Sequence, residues 1–214
     1  MTDTVTVTRE GPLTQIWLSR PEKLNAFNAE LVESLHHAIT EAAGDGTRLV
    51  VFSGAGKGFS GGFDLDGLDA LSDGDMLLRF VRLEEMLQAV CHASFATLAL
   101  VHGACYGAAA DLVAACHRRV AAPGTRFRMP GPKFGVVLGT RRLANLVGAD
   151  NARRLLLRDT AFEAEEALST GFIQEISAQD AWPGIVTKAL DETLALSAPA
   201  YGAIAERMVT DTRD

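Results

Sequence analysis

The sequence predicts an α/β fold, on three observations. Two short runs, "RLVVFSG" (48–54) and "FATLALVHG" (95–103), are continuously apolar, as strands covered on both faces of a parallel sheet are. Between and after them lie segments whose apolar residues recur with a helical period. Beyond Lys133 the chain reads mostly as helix, which puts the sheet in the first two-thirds.

The elements follow in order. "TVTVTR" (4–9) alternates and "LTQIWLS" (13–19) follows Gly11-Pro12, which predicts a hairpin. Asn28 is placed to cap a helix whose stripe is Leu31, Leu35, Ala38, Ile39 and Ala42, with Phe27 and Val32 as a hydrophobic staple and Gly44 and Gly46 as its end. From Met76 to Cys91 a second helix carries Met76, Leu77, Phe80, Leu83, Leu87 and Val90 on one stripe. "AAADLVAACHR" reads as a third helix, opened by a glycine-alanine turn, and "RVAA" and "RFRM" as short strands. Helices are expected at 141–147, 151–157 and 163–169, with two more beyond Trp182. There is no internal repeat or linker.

With 214 residues the chain suits one domain, or one domain with a short appendage. It is 48% hydrophobic and 22% charged, with a formal net charge of −7, which argues against nucleic acid or an anionic membrane as the main partner. The longest apolar stretch, 95–115, is broken by His102, Gly103, Gly107 and Asp111, so no membrane span is expected. The N-terminus has neither the basic start nor the apolar core of a signal peptide, and the expected location is cytoplasmic. Cys91, Cys105 and Cys116 read as reduced core thiols. His36, His37, His92 and His117 lack metal-ligand spacing, and no metal is expected.

The stretch "VVFSGAGKGFSGGFDLDG" (50–67) poses the functional question, because glycines after a strand let something approach the backbone. A phosphate loop needs Gly-Lys-Ser/Thr, but Lys57 is followed by Gly58. A dinucleotide fingerprint needs a third glycine where Phe59 stands. A tight turn with positive φ would account for Gly54 or Gly56 alone. It would not explain why the second strand also opens into small residues, Gly107-Ala108-Ala109-Ala110, with a carboxylate at Asp111. Two bare strand ends beside an acid suggest two N–H groups aimed at one oxygen, an oxyanion hole.

Four segments in order resemble the crotonase (enoyl-CoA hydratase/isomerase) superfamily: "SRPEKLNAFNAELVESLHHAI", "VVFSGAGKGFSGGFDL", "HGACYGAAADLVAACHRRVAA", and "FRMPGPKFGVVLGTRRLANLVG" with "AEEALSTGFIQEI". The resemblance implies a stacked ββα spiral core over 1–176 and a C-terminal helical region, 177–214, serving trimerisation. It implies an acyl-CoA thioester as substrate, with coenzyme A as part of that substrate and no separate cofactor, and a homotrimer or a hexamer built as a dimer of trimers. Matched residue by residue, the oxyanion donors fall on the N–H groups of Phe63 and Ala108. Substrate and CoA contacts fall on Glu22, Lys23, Leu24 and Ala26, on Gly61, Gly62, Asp64 and Leu65, on Tyr106 and Gly107, and on Gly131. Lys57 is either a phosphate contact or a solvated lysine.

Hydratases of the family carry two glutamates. The first matches Asp111, three residues after Ala108 and so on the same helical face; its alternative role is to stabilise the helix N-terminus. The second position is Gly131, and the following turn runs directly from "GVVL" to "GTRRL". A lone carboxylate suits isomerisation, or another enolate reaction, better than two-glutamate hydration. Two rival readings are a catalytically silent acyl-CoA-binding or assembly subunit and a C–C bond hydrolase of a ketone without CoA. Among the neighbours, His102 is expected to be a hydrogen-bonded structural residue, Tyr106 either donates to substrate or packs, and Asp64 fixes its loop. Asp66 and Asp69 line the acyl entrance or face solvent, while Met76, Phe80, Leu83 and Leu87 border the acyl pocket or form a plain core stripe.

Overall fold

The computed structural model describes residues 4–158 and 160–209. Strands β1 (Val5–Glu10) and β2 (Leu13–Leu18) form the expected hairpin. They continue into a six-stranded sheet through β3 (Leu49–Gly54), β4 (Ala96–Val101), β6 (Arg118–Ala121) and β9 (Glu175–Ile176), in the order β1-β2-β3-β4-β6-β9. All pairings after the hairpin are parallel. A smaller sheet, β5-β7-β8, is built from β5 (Ala104–Tyr106), β7 (Arg126–Arg128) and β8 (Phe162–Glu163).

The continuous apolar runs have a simple cause. Successive side chains of a strand point to opposite faces, and here both faces are covered. Val50, Phe52, Ala99 and Val101 point into a core shared with α1 (Ala29–Ala42), α2 (Asp73–Cys91) and α3 (Ala108–Ala115). Leu49, Val51, Leu98 and Leu100 point the other way, against Trp182, Ile185 and Ala189 of α7 (Trp182–Leu194). The chain is completed by α4 (Thr140–Val147), α5 (Ala149–Leu157), α6 (Ala164–Ser169) and α8 (Ala198–Met208), none of whose α8 residues is buried.

Helix α1 follows its sequence signals. The Asn28 side chain accepts from the Leu31 N–H at 2.9 Å, and the expected stripe is buried. In α2 the expected stripe needs correcting. Leu83, Leu87 and Val90 are buried, but Leu77 is 64% exposed and Met86 takes its place in the core. The helix also starts at Asp73, because Ser72 and Asp75 close a capping box that the apolar period does not reveal. Strands β8 and β9 are two residues each, too short to carry an alternation signal. The three cysteines are buried and free, and no helix among the described residues is long and apolar enough to cross a membrane.

Candidate active site

Three chain segments lie side by side where β3 and β4 end. The Phe59 N–H donates to the His102 carbonyl and the Ser60 N–H to the Ala104 carbonyl, while the Tyr106 N–H returns to the Ser60 carbonyl at 3.1 Å. On its other edge the glycine stretch pairs with the segment before α1. The Phe27 N–H donates to the Gly62 carbonyl at 2.7 Å, and the Asp64 N–H to the Phe27 carbonyl at 3.1 Å. In such a ladder alternate residues face alternate sides, so Gly62 and Asp64 are spent on Phe27 and the N–H of Phe63 faces away.

Gly62 is required where the segments meet. Its φ is +91°, and a Cβ there would overlap the Tyr106 carbonyl oxygen while lying 3.5 Å from the Ala108 nitrogen. Ala108 is the first residue of α3, where an N–H has no partner within the helix, and its cap Gly107 offers no side chain. Neither the Phe63 nor the Ala108 N–H has a hydrogen-bond partner among the described residues. Both residues line one cavity of about 360 Å³. Main-chain donors of this kind, held before any charge develops, are worth about 3–4 kcal/mol each in acyl-transfer sites.

Asp111 lines the same cavity and is its only ionisable wall residue among the described residues. Its carboxylate makes no hydrogen bond among the described residues and keeps partial exposure on the cavity side. Burial pushes its pKa up to about 6, an effect that the Arg142 guanidinium opposes and the Glu84 carboxylate reinforces. Arg142 is 6% exposed and donates to Glu84 at 2.6 Å, and Gln88 donates to the same oxygen at 2.5 Å. This pair, buried at Arg142 and half-buried at Glu84, joins α4 to α2 near the acid.

Of the residues expected from the sequence, Gly61, Phe63, Leu65, Gly107, Ala108, Asp111 and Gly131 line the cavity, with Met76, Phe80 and Leu83 from α2. Leu87 lies in the core instead. Gly131 has no side chain to offer. A Cβ there would come within 3.0 Å of the Val136 carbonyl, and the Val136 N–H in turn donates to Gly131. Tyr106, Glu22, Lys23, Leu24, Ala26, Gly62 and Asp64 do not line the cavity. Asp64 pairs with Arg20 at 2.9 Å and its pKa is lowered, and Lys23 reaches Asp66 at 2.7 Å. Asp64 thus fixes its loop. His102 Nε2 lies 2.9 Å from the Gly56 carbonyl, the structural contact expected of it; the ring must carry a proton on that nitrogen.

Sequence reasoning passed over Asn25, Glu84 and Gly139, and read Arg142 only as part of a basic spot, Arg141-Arg142, for a phosphorylated small molecule, whereas it is buried against Glu84. Asn25 is fully buried with φ +50°, and its amide donates to the carbonyls of Ala55, Gly58 and Phe59 while its oxygen accepts from the Arg20 N–H. It ties the segment before α1 to the glycine stretch. Nothing in the pattern around Asn25 distinguishes it from a surface turn residue. Gly139, the cap of α4, faces Asp111 so closely that a Cβ would overlap Oδ1.

Comparison with known proteins places the chain in a family. The family model for enoyl-CoA hydratase/isomerase matches residues 8–214. The probable enoyl-CoA hydratase echA6 of Mycobacterium leprae is 36% identical over 188 residues, covering 83% of this chain and 74% of the relative. The crystal structure of a Bordetella parapertussis protein named as an enoyl-CoA hydratase/isomerase superposes with a TM-score of 0.95 at 43% identity, covering 98% of this chain and 87% of that one. An enoyl-CoA hydratase structure from Mycobacterium smegmatis gives 0.89 at 25% identity, with 98% and 85% covered. The fold is that of the crotonases, and the chain belongs to the enoyl-CoA hydratase/isomerase family of enzymes.

Proposed function

We propose that the protein acts on an enoyl-CoA thioester as a one-acid enolate enzyme, with double-bond isomerisation favoured over hydration. One observation carries the preference: among the described residues Asp111 is the only ionisable side chain on the cavity wall, and the position of the second acid is Gly131. The thioester oxygen accepts from the N–H groups of Phe63 and Ala108. The Asp111 carboxylate takes a proton from C2 of a 3-enoyl thioester, and the electron pair passes to that oxygen as a dienolate. Asp111 then returns the proton to C4, the electrons re-form the carbonyl, and a 2-enoyl thioester leaves. A pKa near 6 suits a group that must both take and give a proton near neutrality.

In this reading Glu22, Lys23, Leu24 and Ala26 remain the contacts for the CoA nucleotide, and Tyr106 borders the second donor from outside the cavity. The C-terminal region, 177–214, remains the proposed assembly segment of a trimer or hexamer, supported by α8, whose residues are all at least partly exposed. Calorimetric titration with acetyl-CoA and crotonyl-CoA, against free CoA, tests the site. Binding that strengthens with the acyl group supports it, and silence for all three overturns it. Incubation with 3-hexenoyl-CoA and with 2-hexenoyl-CoA in labelled water then separates the reactions: conversion of the first without hydration of the second is expected.

A further inference from the structure

Phe63 lines two cavities. One is the reaction cavity; the other, of about 220 Å³, lies between α1 and α2 and is bounded by Phe27, Val32, Leu78 and Arg79. No other described residue lines both. The ring packs on Phe80 with centroids 5.1 Å apart, and the Arg79 guanidinium carbon lies 4.3 Å from its centre. Arg79 is held there by the carbonyls of Phe27 and Asp64, each at 3.3 Å. Next to the ring the second cavity has the buried side chains of Phe27 and Val32 together with the Arg79 guanidinium, and its rim carries Asn28, Glu33 and Arg82.

A thioester whose carbonyl sits at the Phe63 and Ala108 N–H groups must run its tail along the hydrocarbon wall of the reaction cavity. We infer that the Phe63 ring is the acyl-length stop of this site, and that the cavity behind it is a second compartment that the ring closes to the tail. This rests on the acyl-thioester reading above. One residue then has two separable parts: its main-chain N–H belongs to the chemistry, and its ring sets the substrate. Substitutions at Phe63 other than proline keep the main-chain N–H while altering the stop.

The test compares saturated acyl-CoAs from four to sixteen carbons by calorimetry, in the wild type, Phe63→Leu, Phe63→Ala and Phe63→Ala with Leu78→Trp. A buried methylene is worth roughly fourfold in affinity. The wild-type affinity is expected to stop rising at one chain length, and that of Phe63→Ala to keep rising for about three carbons more, giving a gain of at least about tenfold for the longest chains. Leu78→Trp fills the compartment from its far side and should return the plateau to its wild-type length. Coincident plateaus in wild type and Phe63→Ala overturn the inference, as does a tryptophan that changes nothing. The same proteins are titrated with n-alkanols from six to twelve carbons, which need no CoA. If no acyl-CoA binds but the alkanol plateau shifts, the thioester reading falls and the partition stands; if the alkanol plateau is also fixed, both fall.

Discussion

The carboxylate of Asp111 rests against Gly139 at the cap of α4, with no room between them for a methyl group. The glycine therefore sets where the acid points. Gly139→Ala is expected to fold and to turn the carboxylate aside. Displacement of a reacting group by about 1 Å costs on the order of 10²-fold in rate. Turnover should fall by that factor with KM little changed, while the urea midpoint stays near that of the wild type. An unchanged turnover would show that Asp111 does not need this wall.

Asp111 should also cost the protein stability. Its pKa is 3.8 when free and about 6 in the fold, so the native state holds the proton more tightly than the unfolded chain. The stabilisation from that proton is complete below pH about 4 and is lost as the pH rises through about 6, a difference of roughly 3 kcal/mol. Asp111→Asn should match the wild type at pH 4 and exceed it by up to that amount at pH 7, in urea unfolding at the two pH values. The same variant should lose about 10²–10⁴-fold in activity. A wild-type rate that titrates with an apparent pKa near 6, absent from the variant, would join the two results.

Arg142, buried, pairs with the half-buried Glu84 near the acid, and Arg142 Nε and Nη1 have no partner among the described residues. Removing one member of such a pair leaves a charge stranded and costs about 3–5 kcal/mol, whereas replacing both with apolar side chains is often near neutral. Glu84→Leu alone should thus destabilise more than Glu84→Leu with Arg142→Met, measured as chemical unfolding. The double variant should still shift the pH dependence of turnover, because both charges act on Asp111.

Asn25→Ala removes four hydrogen bonds, three of which tie the segment before α1 to residues 55–59. It strands two buried carbonyls, of Gly58 and Phe59, at about 1–3 kcal/mol each, and a half-buried one, of Ala55. A loss of at least about 3 kcal/mol is expected, with acyl-CoA affinity falling together with stability. Hydrogen exchange at residues 59–64 should accelerate more than exchange in α7, on the far side of the sheet.

The sequence made legible what depends on local pattern. The doubly covered strands, the Asn28 cap and the α1 stripe follow from period and capping chemistry, and the structure carries them as expected. That two segments combine a strand end with small residues pointed to a pair of bare N–H groups, and the family resemblance assigned them to Phe63 and Ala108. What escaped depends on contacts across the chain. Asn25 acts on carbonyls about 30 residues away, and Arg142 on a glutamate 58 residues away, at separations no local period encodes. Leu77 was placed inside because the period alone cannot tell a helix that covers a core from one whose first turns stand over an open cavity mouth.

The pairing of Phe27 with residues 62–64 has an evolutionary corollary. The direction of the Phe63 N–H is a matter of phase along the ladder, and no side chain takes part in it. The donors at positions 63 and 108 are thus indifferent to which side chain other than proline stands there; in this chain those side chains are constrained separately, Phe63 by its contacts with Phe80 and Arg79 and Ala108 by its burial. Loop length is not free. A single inserted residue between Ser60 and Phe63 would turn a carbonyl toward the thioester, and an attractive contact would become a repulsive one. Selection on such a site should tolerate substitutions and purge insertions and deletions.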